Sequence, residues 1–215
     1  QYVASGPTVK DTTTREDAQA VLSKYDVLNA CHMDSCGLIE TPKDDKYFEN
    51  VRNIVVASNA IALSRMAEKA KGLGFSPEVR TTNLVGEARD AAKAIVEELH
   101  AAPPKSALLY GGETTVTVRG HGKGGRNMEL AISALRFLRE KEVLLAIASD
   151  GRDNSDIAGA ICDIMTRAGA LEKNLDIEKY LADNNEYPFF QAVGDYLLTG
   201  DTGSNVSDLI IAIKE

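Results

Sequence analysis

The chain has 215 residues, of which 44% are hydrophobic and 26% are charged, which is ordinary for a globular protein with one large or two small domains. A formal net charge of −8 opposes nucleic acid as a partner, because its phosphates would be repelled by the acidic surface. No apolar run reaches the length of about 18 residues that favours a membrane span, no signal peptide is recognisable, and the three cysteines cannot all pair, so we expect a cytoplasmic protein.

The first quarter of the chain predicts one helix, a long loop and a strand. Residues 14–17 read as a capping box, which predicts a helix from about residue 15. Residues 29–50 are polar and show no clear period, so we expect a loop there. The short β-branched run at residues 53–57 is typical of a buried parallel strand.

The following segment predicts alternating helices and strands. A helical face runs from Leu63 to Leu73 and ends at Gly74, a strand is expected at residues 78–82, and a second helix at residues 88–99. After the break at residues 103–104, another strand is expected at residues 107–110. This order favours right-handed crossovers into a parallel sheet.

The second half of the chain has a different character. Residues 114–119 alternate with a period of two, which predicts a strand with one face exposed or turned toward a cleft. A helix is expected from about Arg126. The further predicted elements are a strand at 143–148, helices near 156–168, 177–183 and 188–194, and a last strand at 206–213.

Residues 111–129 are rich in glycine and carry the clearest functional signal. Glycines and the free amides at a helix start, together with Lys123 and Arg126, would form a site for an anion such as phosphate. Residues 120, 122 and 125 also match a dinucleotide fingerprint, but the preceding strand is half polar and Asp150 comes too late to hold a ribose. A flexible turn with solvated cations is the alternative.

The glycine-rich segment followed by a helix resembles the opening of the MOFRL domain of class II glycerate kinases, the glycerate 2-kinases. Residues 149–153 with 157–160, and the closing segment 199–209, resemble later motifs of that family in the same order. Residues 4–8 and 57–60 resemble segments of its first domain. The family also has a more N-terminal part, with a phosphate loop and a catalytic lysine that are not present in this sequence, so we expect the chain to be a C-terminal fragment.

The resemblance implies an α/β fold with two parts. Residues 1–104 would be the C-terminal part of a parallel-sheet, Rossmann-like first domain, and residues 105–215 a mixed α/β MOFRL domain. It also implies transfer of the γ-phosphate of ATP to D-glycerate, giving 2-phosphoglycerate, with Mg²⁺ as cofactor and the site in the cleft between two domains. The missing N-terminal part would be required, so that the isolated fragment would be inactive, and a homodimer is left open.

Arg126 and Lys123 are the expected catalytic residues, because a guanidinium at a helix start can hold phosphate or carboxylate with two hydrogen bonds and a nearby ammonium adds charge. Asp150, at a predicted strand end, is the expected metal ligand, and Glu113 is an alternative to it. The expected substrate or phosphate contacts are Ser58, Asn59, Glu113, Thr114, Gly124, Gly125, Asn127, Thr202, Ser204 and Asn205.

Structural roles remain open for most of these residues. Arg126 could form a surface ion pair, Asp150 and the segment 202–205 could belong to tight turns, and Asn59 could cap a helix. Two other functions also remain. One is an NAD(P)-dependent oxidoreductase, in line with the hydroxypyruvate reductase label that some relatives of the family carry, and the other is a noncatalytic ligand-binding domain.

Overall fold

The computed structural model describes residues 8–215, so residues 4–7 of the first resembling segment lie outside the described residues. The chain divides into two compact units at residues 56 and 57. In the first unit, α1 spans Arg15–Lys24 and α2 spans Val27–Ala30, followed by a 3₁₀ turn at Asp45–Tyr47. The predicted capping box is present, since Thr14 and Asp17 each accept a hydrogen bond from the other's backbone N–H.

The strand predicted at residues 53–57 is wrong. These residues are irregular, and Ile54, Val55 and Val56 are 68%, 64% and 85% exposed. Within residues 8–215 no strand pairs with them, and β-branched side chains favour a strand only where a sheet offers partners and a surface to pack on.

The second unit contains a six-stranded sheet with helices. The strands are β1 Ser76–Leu84, β2 Ser106–Gly112, β3 Glu142–Ala148, β4 Gly159–Cys162, β5 Tyr196–Leu197 and β6 Asp208–Lys214. The helices are α3 Asn59–Gly72, α4 Ala88–Ala101, α5 Arg126–Leu135, α6 Ile164–Glu172, α7 Ile177–Ala182 and α8 Glu186–Val193.

The predicted α/β class is confirmed, and the sheet is mixed. Its order is β1-β2-β6-β3-β4-β5. The β1–β2 pair, which α4 connects, is parallel as predicted, whereas the other four neighbouring pairs are antiparallel. The compact unit includes residues on both sides of residue 104, and the domain boundary there stays a prediction.

The core lies between the sheet and helices α4 and α5. The strand β2 is buried along its whole length, and β3 and β6 alternate buried and partly exposed residues. Leu99 of α4, Met128 and Leu130 of α5, Leu144 of β3 and Ile210 of β6 all belong to this core. Helix α5, which begins at the edge of the sheet, is thereby held with its first residues next to the strand ends.

Two predicted elements in the second half differ from the structure. Residues 114–119 form no ladder strand but one isolated bridge, between Thr115 and Glu87, where the Glu87 carboxylate accepts hydrogen bonds from residues 115 and 117. The helix predicted near 156–168 is replaced by β4 and α6. Asp163 caps α6 with a capping box, which starts the helix eight residues late.

Candidate functional site

One edge of the sheet gathers most of the predicted site residues. The last residue of β2, Gly112, pairs with Leu84 at the end of β1 and with Asp208 at the start of β6, and Asp208 in turn pairs with Ala148 at the end of β3. Glu113 directly follows the end of β2, and Asp150 lies two residues after the end of β3. Loops at the carboxyl ends of strands are the usual ligand side of an open α/β sheet.

Arg126 is the first residue of α5, as predicted, and it is anchored at this edge. Its Nε donates to Asp208 Oδ2 at 2.6 Å and its Nη2 to Asp208 Oδ1 at 3.0 Å, while Nη1 lies 3.3 Å from Glu113 Oε1. Asp208 is buried, whereas a third of the Arg126 side chain is exposed. The hydrogen bonds to Asp208 raise the pKa of Arg126 further above its usual value, so the guanidinium stays charged and has one fixed orientation.

Asp208 was missed by the residue-level reasoning, although it lies inside the segment 199–209 that carries the family resemblance. The signal available in the sequence is a carboxylate at the first position of an otherwise apolar strand. Such a charge is almost never fully buried without a partner. The pattern therefore indicates a cation nearby but does not identify it.

The backbone amides of the glycine loop, residues 119–123, are already used within the protein. Asn184 Oδ1 accepts from the N–H groups of residues 119 and 120, at 2.7 and 3.1 Å, and Asp183 accepts from those of His121 and Gly122. Asn185 Oδ1 accepts from the N–H of Lys123 at 3.0 Å. These amides are therefore not available to an anion. The predicted anion site is restricted to the backbone N–H groups of the residues that follow them.

Close packing explains the glycines of this loop. A Cβ on Gly120 would overlap the backbone of Asp183, and one on Gly122 would lie 2.6 Å from both Asp183 O and Asn185 Cα. A Cβ on Gly125 would overlap Asp153. The glycines that match a dinucleotide fingerprint are thus explained by the close approach of residues 183–185 and Asp153, without a pyrophosphate.

Asp153 occupies part of the start of α5. Its carboxylate accepts from Asn127 N at 3.1 Å and from Met128 N at 2.8 Å, and from the side-chain amide of Asn127. Burial raises the pKa of Asp153 to about 6, against the effect of these hydrogen bonds. Asn127, predicted to contact a ligand, is itself buried and held by this carboxylate.

Three amides remain without a protein acceptor. Within residues 8–215, no oxygen accepts from the backbone N–H groups of Gly124, Gly125 or Arg126. These three residues line a groove of about 520 Å³. The remaining lining residues are Thr114, Thr115, Val116, Val118, Gly122, Asp153, Asn154, Asn184 and Glu186. The start of a helix with free N–H groups and an adjacent guanidinium is suited to an anionic oxygen.

Lys123 lies outside this groove lining. Its Nζ is 3.5 Å from the centre of the Tyr187 ring, a cation–π contact, and its backbone carbonyl accepts from Tyr187 N at 2.9 Å. The side chain is exposed and could leave the ring at a small cost. Thr114 is buried in the groove wall, and Glu113 is exposed beside Arg126.

The structure brings Asp150 together with the predicted segment 202–205. Asn205 Nδ2 donates to Asp150 Oδ2 at 3.2 Å, and Thr202 N donates to Asp150 O at 3.2 Å. The Thr202 hydroxyl donates to Ser149 O at 2.6 Å, and Ser204 N approaches that hydroxyl at 3.4 Å. The residues around Ser204 are exposed, so this cluster forms a surface loop pair next to the end of β3.

Ser58 and Asn59 lie at the start of α3. The Ser58 hydroxyl caps the helix by accepting from Ile61 N at 3.2 Å, and Asn59 Nδ2 donates to Thr82 O at 2.8 Å. Asn59 also packs closely on Gly111, where an added Cβ would lie 3.2 Å from the Asn59 side chain. Both polar groups therefore have structural partners, at the same sheet edge as Glu113.

Three further observations concern metal ligands, disulfides and membrane-spanning helices. No group of three or more His, Cys, Asp or Glu side chains within residues 8–215 could hold a metal ion. None of the three cysteines is in a disulfide. Among the helices in the described part of the chain, none combines the length and the apolar character needed to cross a bilayer.

Comparisons with known proteins identify relatives of the whole chain. The model of the MOFRL family matches residues 106–208. A glycerate 2-kinase of Pyrococcus horikoshii is 42% identical over 99% of this chain and 52% of its own length. A crystal structure of glycerate kinase from Thermotoga maritima superposes with a TM-score of 0.84 at 36% identity, over 99% of this chain and 53% of that one.

A further relative, from Agrobacterium vitis, carries the provisional name hydroxypyruvate reductase and is 33% identical over 96% of this chain and 50% of its own length. The chain thus spans about half the length of the curated relatives it matches.

Proposed function

Because residues 106–208 are a MOFRL family domain and nearly the whole chain is homologous to one half of glycerate 2-kinases, we propose that this chain is the C-terminal half of an ATP-dependent D-glycerate 2-kinase. The single observation that carries the proposal is the groove at the start of α5. There, three free backbone amides stand next to a guanidinium of fixed orientation.

The groove fits the phosphate groups of ATP or the carboxylate of D-glycerate. Phosphoryl transfer needs little covalent help from the protein, because catalysis consists mainly of positioning and of offsetting negative charge. The amides of Gly124, Gly125 and Arg126 would donate to anionic oxygens, and the Arg126 fork would offer Nη1 once Glu113 moves aside. Asp208 would keep the other two nitrogens in place during this exchange.

Asp150 fits a role as one carboxylate ligand of Mg²⁺. Magnesium is usually held by one or two carboxylates together with phosphate oxygens and water, so the lack of a larger acidic cluster within residues 8–215 is compatible with it. Each carboxylate oxygen of Asp150 accepts one hydrogen bond, from Arg152 N and Asn205 Nδ2, and each keeps a second lone pair. When bound, Mg²⁺ would neutralise charge on the phosphates.

The remaining predicted residues take supporting roles in this proposal. Thr202, Ser204 and Asn205 would hold the Asp150 loop, and Ser58, Asn59, Thr114 and Asn127 would shape the walls around the ligand. Lys123 would add its charge by leaving the Tyr187 ring. Full activity would require the half of the relatives' length that this chain does not span, and the isolated chain would bind ligand without turnover. Unpaired cysteines, two of them exposed, support a cytoplasmic setting.

The test is an activity assay on the full-length product of the gene. Incubation with D-glycerate, ATP and MgCl₂ is expected to yield 2-phosphoglycerate, which an enolase-coupled assay distinguishes from the 3-phosphate. Substitution Arg126→Ala is expected to lower kcat/KM at least about 100-fold, the usual loss for one preorganised donor. An active protein that instead oxidises NADH with hydroxypyruvate, and forms no phosphoglycerate, would refute the proposal in favour of the reductase.

A further inference from the structure

Two buried carboxyl groups near the glycine loop have no role in the function proposed above. Glu129 of α5 and Glu186, the first residue of α8, are each 1% exposed. Glu129 accepts two hydrogen bonds from Arg89, from Nε at 2.9 Å and Nη2 at 3.1 Å, and one from Asn184 Nδ2 at 2.9 Å. Its charge is therefore fully partnered.

Glu186 has no such partners. Its Oε1 is buried, and no group within residues 8–215 donates to it. The charge of the neighbouring Glu129 carboxylate also acts on Glu186 and raises its pKa. Two buried carboxyl groups that lie near each other disfavour each other's ionised form, so one of them keeps a proton to a higher pH. A proton between the two carboxyls is the donor that Oε1 otherwise lacks.

The pair is connected to the glycine loop from two sides. Asn184 donates to Glu129 through Nδ2 and accepts from the backbone N–H groups of residues 119 and 120 through Oδ1. Glu186 Oε2 packs directly on Gly124, where an added Cβ would overlap it. Residues 119 and 120 are thus linked to Glu129 through Asn184, and Gly124, directly after the loop, packs on Glu186.

We propose that Glu129 and Glu186 share one proton and that this acid pair is a positioning device, which holds the glycine loop so that the amides of Gly124, Gly125 and Arg126 face the groove. The assignment of a ligand to those amides rests on the proposed kinase function. The shared proton and its hold on the loop do not depend on that function.

The pair also makes the loop sensitive to alkaline pH. Burial, and next the adjacent Glu129 charge, raise the pKa of Glu186 to about 8, while Arg89 of α4 acts in the opposite direction. Asp153 is a further carboxylate in the same groove wall. Above this pKa, Glu186 would be ionised next to Gly124 and the ionised Glu129. The repulsion between the two carboxylates would loosen the loop.

The test follows the backbone amides of residues 120–125 by ¹⁵N NMR in the 215-residue chain, from about pH 6 to about pH 9.5, without any ligand. In the wild type, these amide signals are expected to shift with a midpoint near the pKa of Glu186, about 8. In Glu186→Gln, which stays neutral and keeps a donor, this shift is expected to disappear. Glu142→Gln is the matched control, since Glu142 is equally buried but lies at the start of β3, the opposite end from the candidate site.

Persistence of the same midpoint in Glu186→Gln, or its absence from the wild type, would overturn the proposal. If Glu186→Gln does not fold, ¹³C-carboxyl spectra of the wild type decide instead, because one glutamate carboxyl must titrate near pH 8. Titration of inorganic phosphate into the same samples separates the two ideas. If the amide signals of the loop shift with pH but phosphate does not bind, the result would contradict the proposed kinase site and would still support the shared proton.

Discussion

Replacement of Arg126 by alanine removes the one guanidinium that residues 8–215 contribute to the groove lining and leaves Asp208 buried without its counter-charge. Two effects should follow, and they are separable. The protein should lose stability, because an uncompensated buried carboxylate is costly, and the groove should lose affinity for phosphate, because a charged donor is gone.

The structure sets the size of both effects. Breaking a fully buried ion pair costs about 3–5 kcal/mol, but a third of the Arg126 side chain is exposed, so we expect about 2 kcal/mol after discounting for solvent screening. A hydrogen bond to a charged group contributes about 1.5–3 kcal/mol, which corresponds to a loss of phosphate affinity of about tenfold or more.

Urea unfolding and calorimetric titration of phosphate measure these two quantities on the same variants. The double variant Arg126→Ala/Asp208→Asn removes the orphaned charge, so it should recover most of the lost stability but none of the affinity. Arg136→Ala is the matched control, since Arg136 follows the same helix and its contacts are with the exposed Glu178 and the neighbouring Phe137 ring. It should change both quantities by less than about 0.5 kcal/mol.

Two outcomes would refute this reasoning. Unchanged phosphate affinity in Arg126→Ala would remove Arg126 from the binding site. A double variant as unstable as the single one would show that the ion pair with Asp208 is not the source of the loss.

Three further predictions concern neighbouring residues. The raised pKa of Asp153 means that its carboxyl supports folding most below pH about 4 and loses that contribution as the pH rises through about 6, so the stability of the wild type relative to Asp153→Asn should fall across this window in thermal melts. Gly122→Ala should cost about 1–3 kcal/mol in urea unfolding by overlap with residues 183–185, whereas Gly37→Ala, with nothing within 4 Å, should cost little. Lys123→Gln should lower stability by about 0.5–1 kcal/mol and, in the full-length enzyme, raise the KM for ATP if the ammonium reaches the phosphates.

Sequence patterns predicted the elements that show a regular apolar period over many residues and that form through contacts between residues close in sequence. Helix α4 and the start of α5 at Arg126 were expected from regular apolar spacing, and they lie where expected. The strand expected at residues 53–57 and the one at 114–119 failed for one reason, because strand formation depends on a partner that the local sequence does not specify.

The site was predicted in outline but not in its hydrogen bonding. Glycines before a helix indicated an anion site, and the groove lies there. The use of most loop amides by residues 183–185, some 60 positions away, has no local signal, because any Asp or Asn in a turn would look the same. The partner of Arg126 has no local signal either, because Asp208 lies 82 positions further along the chain and no short motif connects the two residues.

The charges around the groove bear on how the ligand is held. Among the described residues that line the groove, Arg126 is the one cation, and it is already paired with Asp208 and Glu113, while Asp153 adds another carboxylate at the start of α5. Phosphate should therefore bind this chain weakly, because these carboxylates repel an added anion and the single positive charge of Arg126 does not offset them. Added Mg²⁺ should strengthen the binding of ATP in titrations of the chain, and Asp150→Asn should abolish that gain. Equal ATP affinity with and without Mg²⁺ would mean that the second positive charge comes from Lys123 or from protein outside this chain.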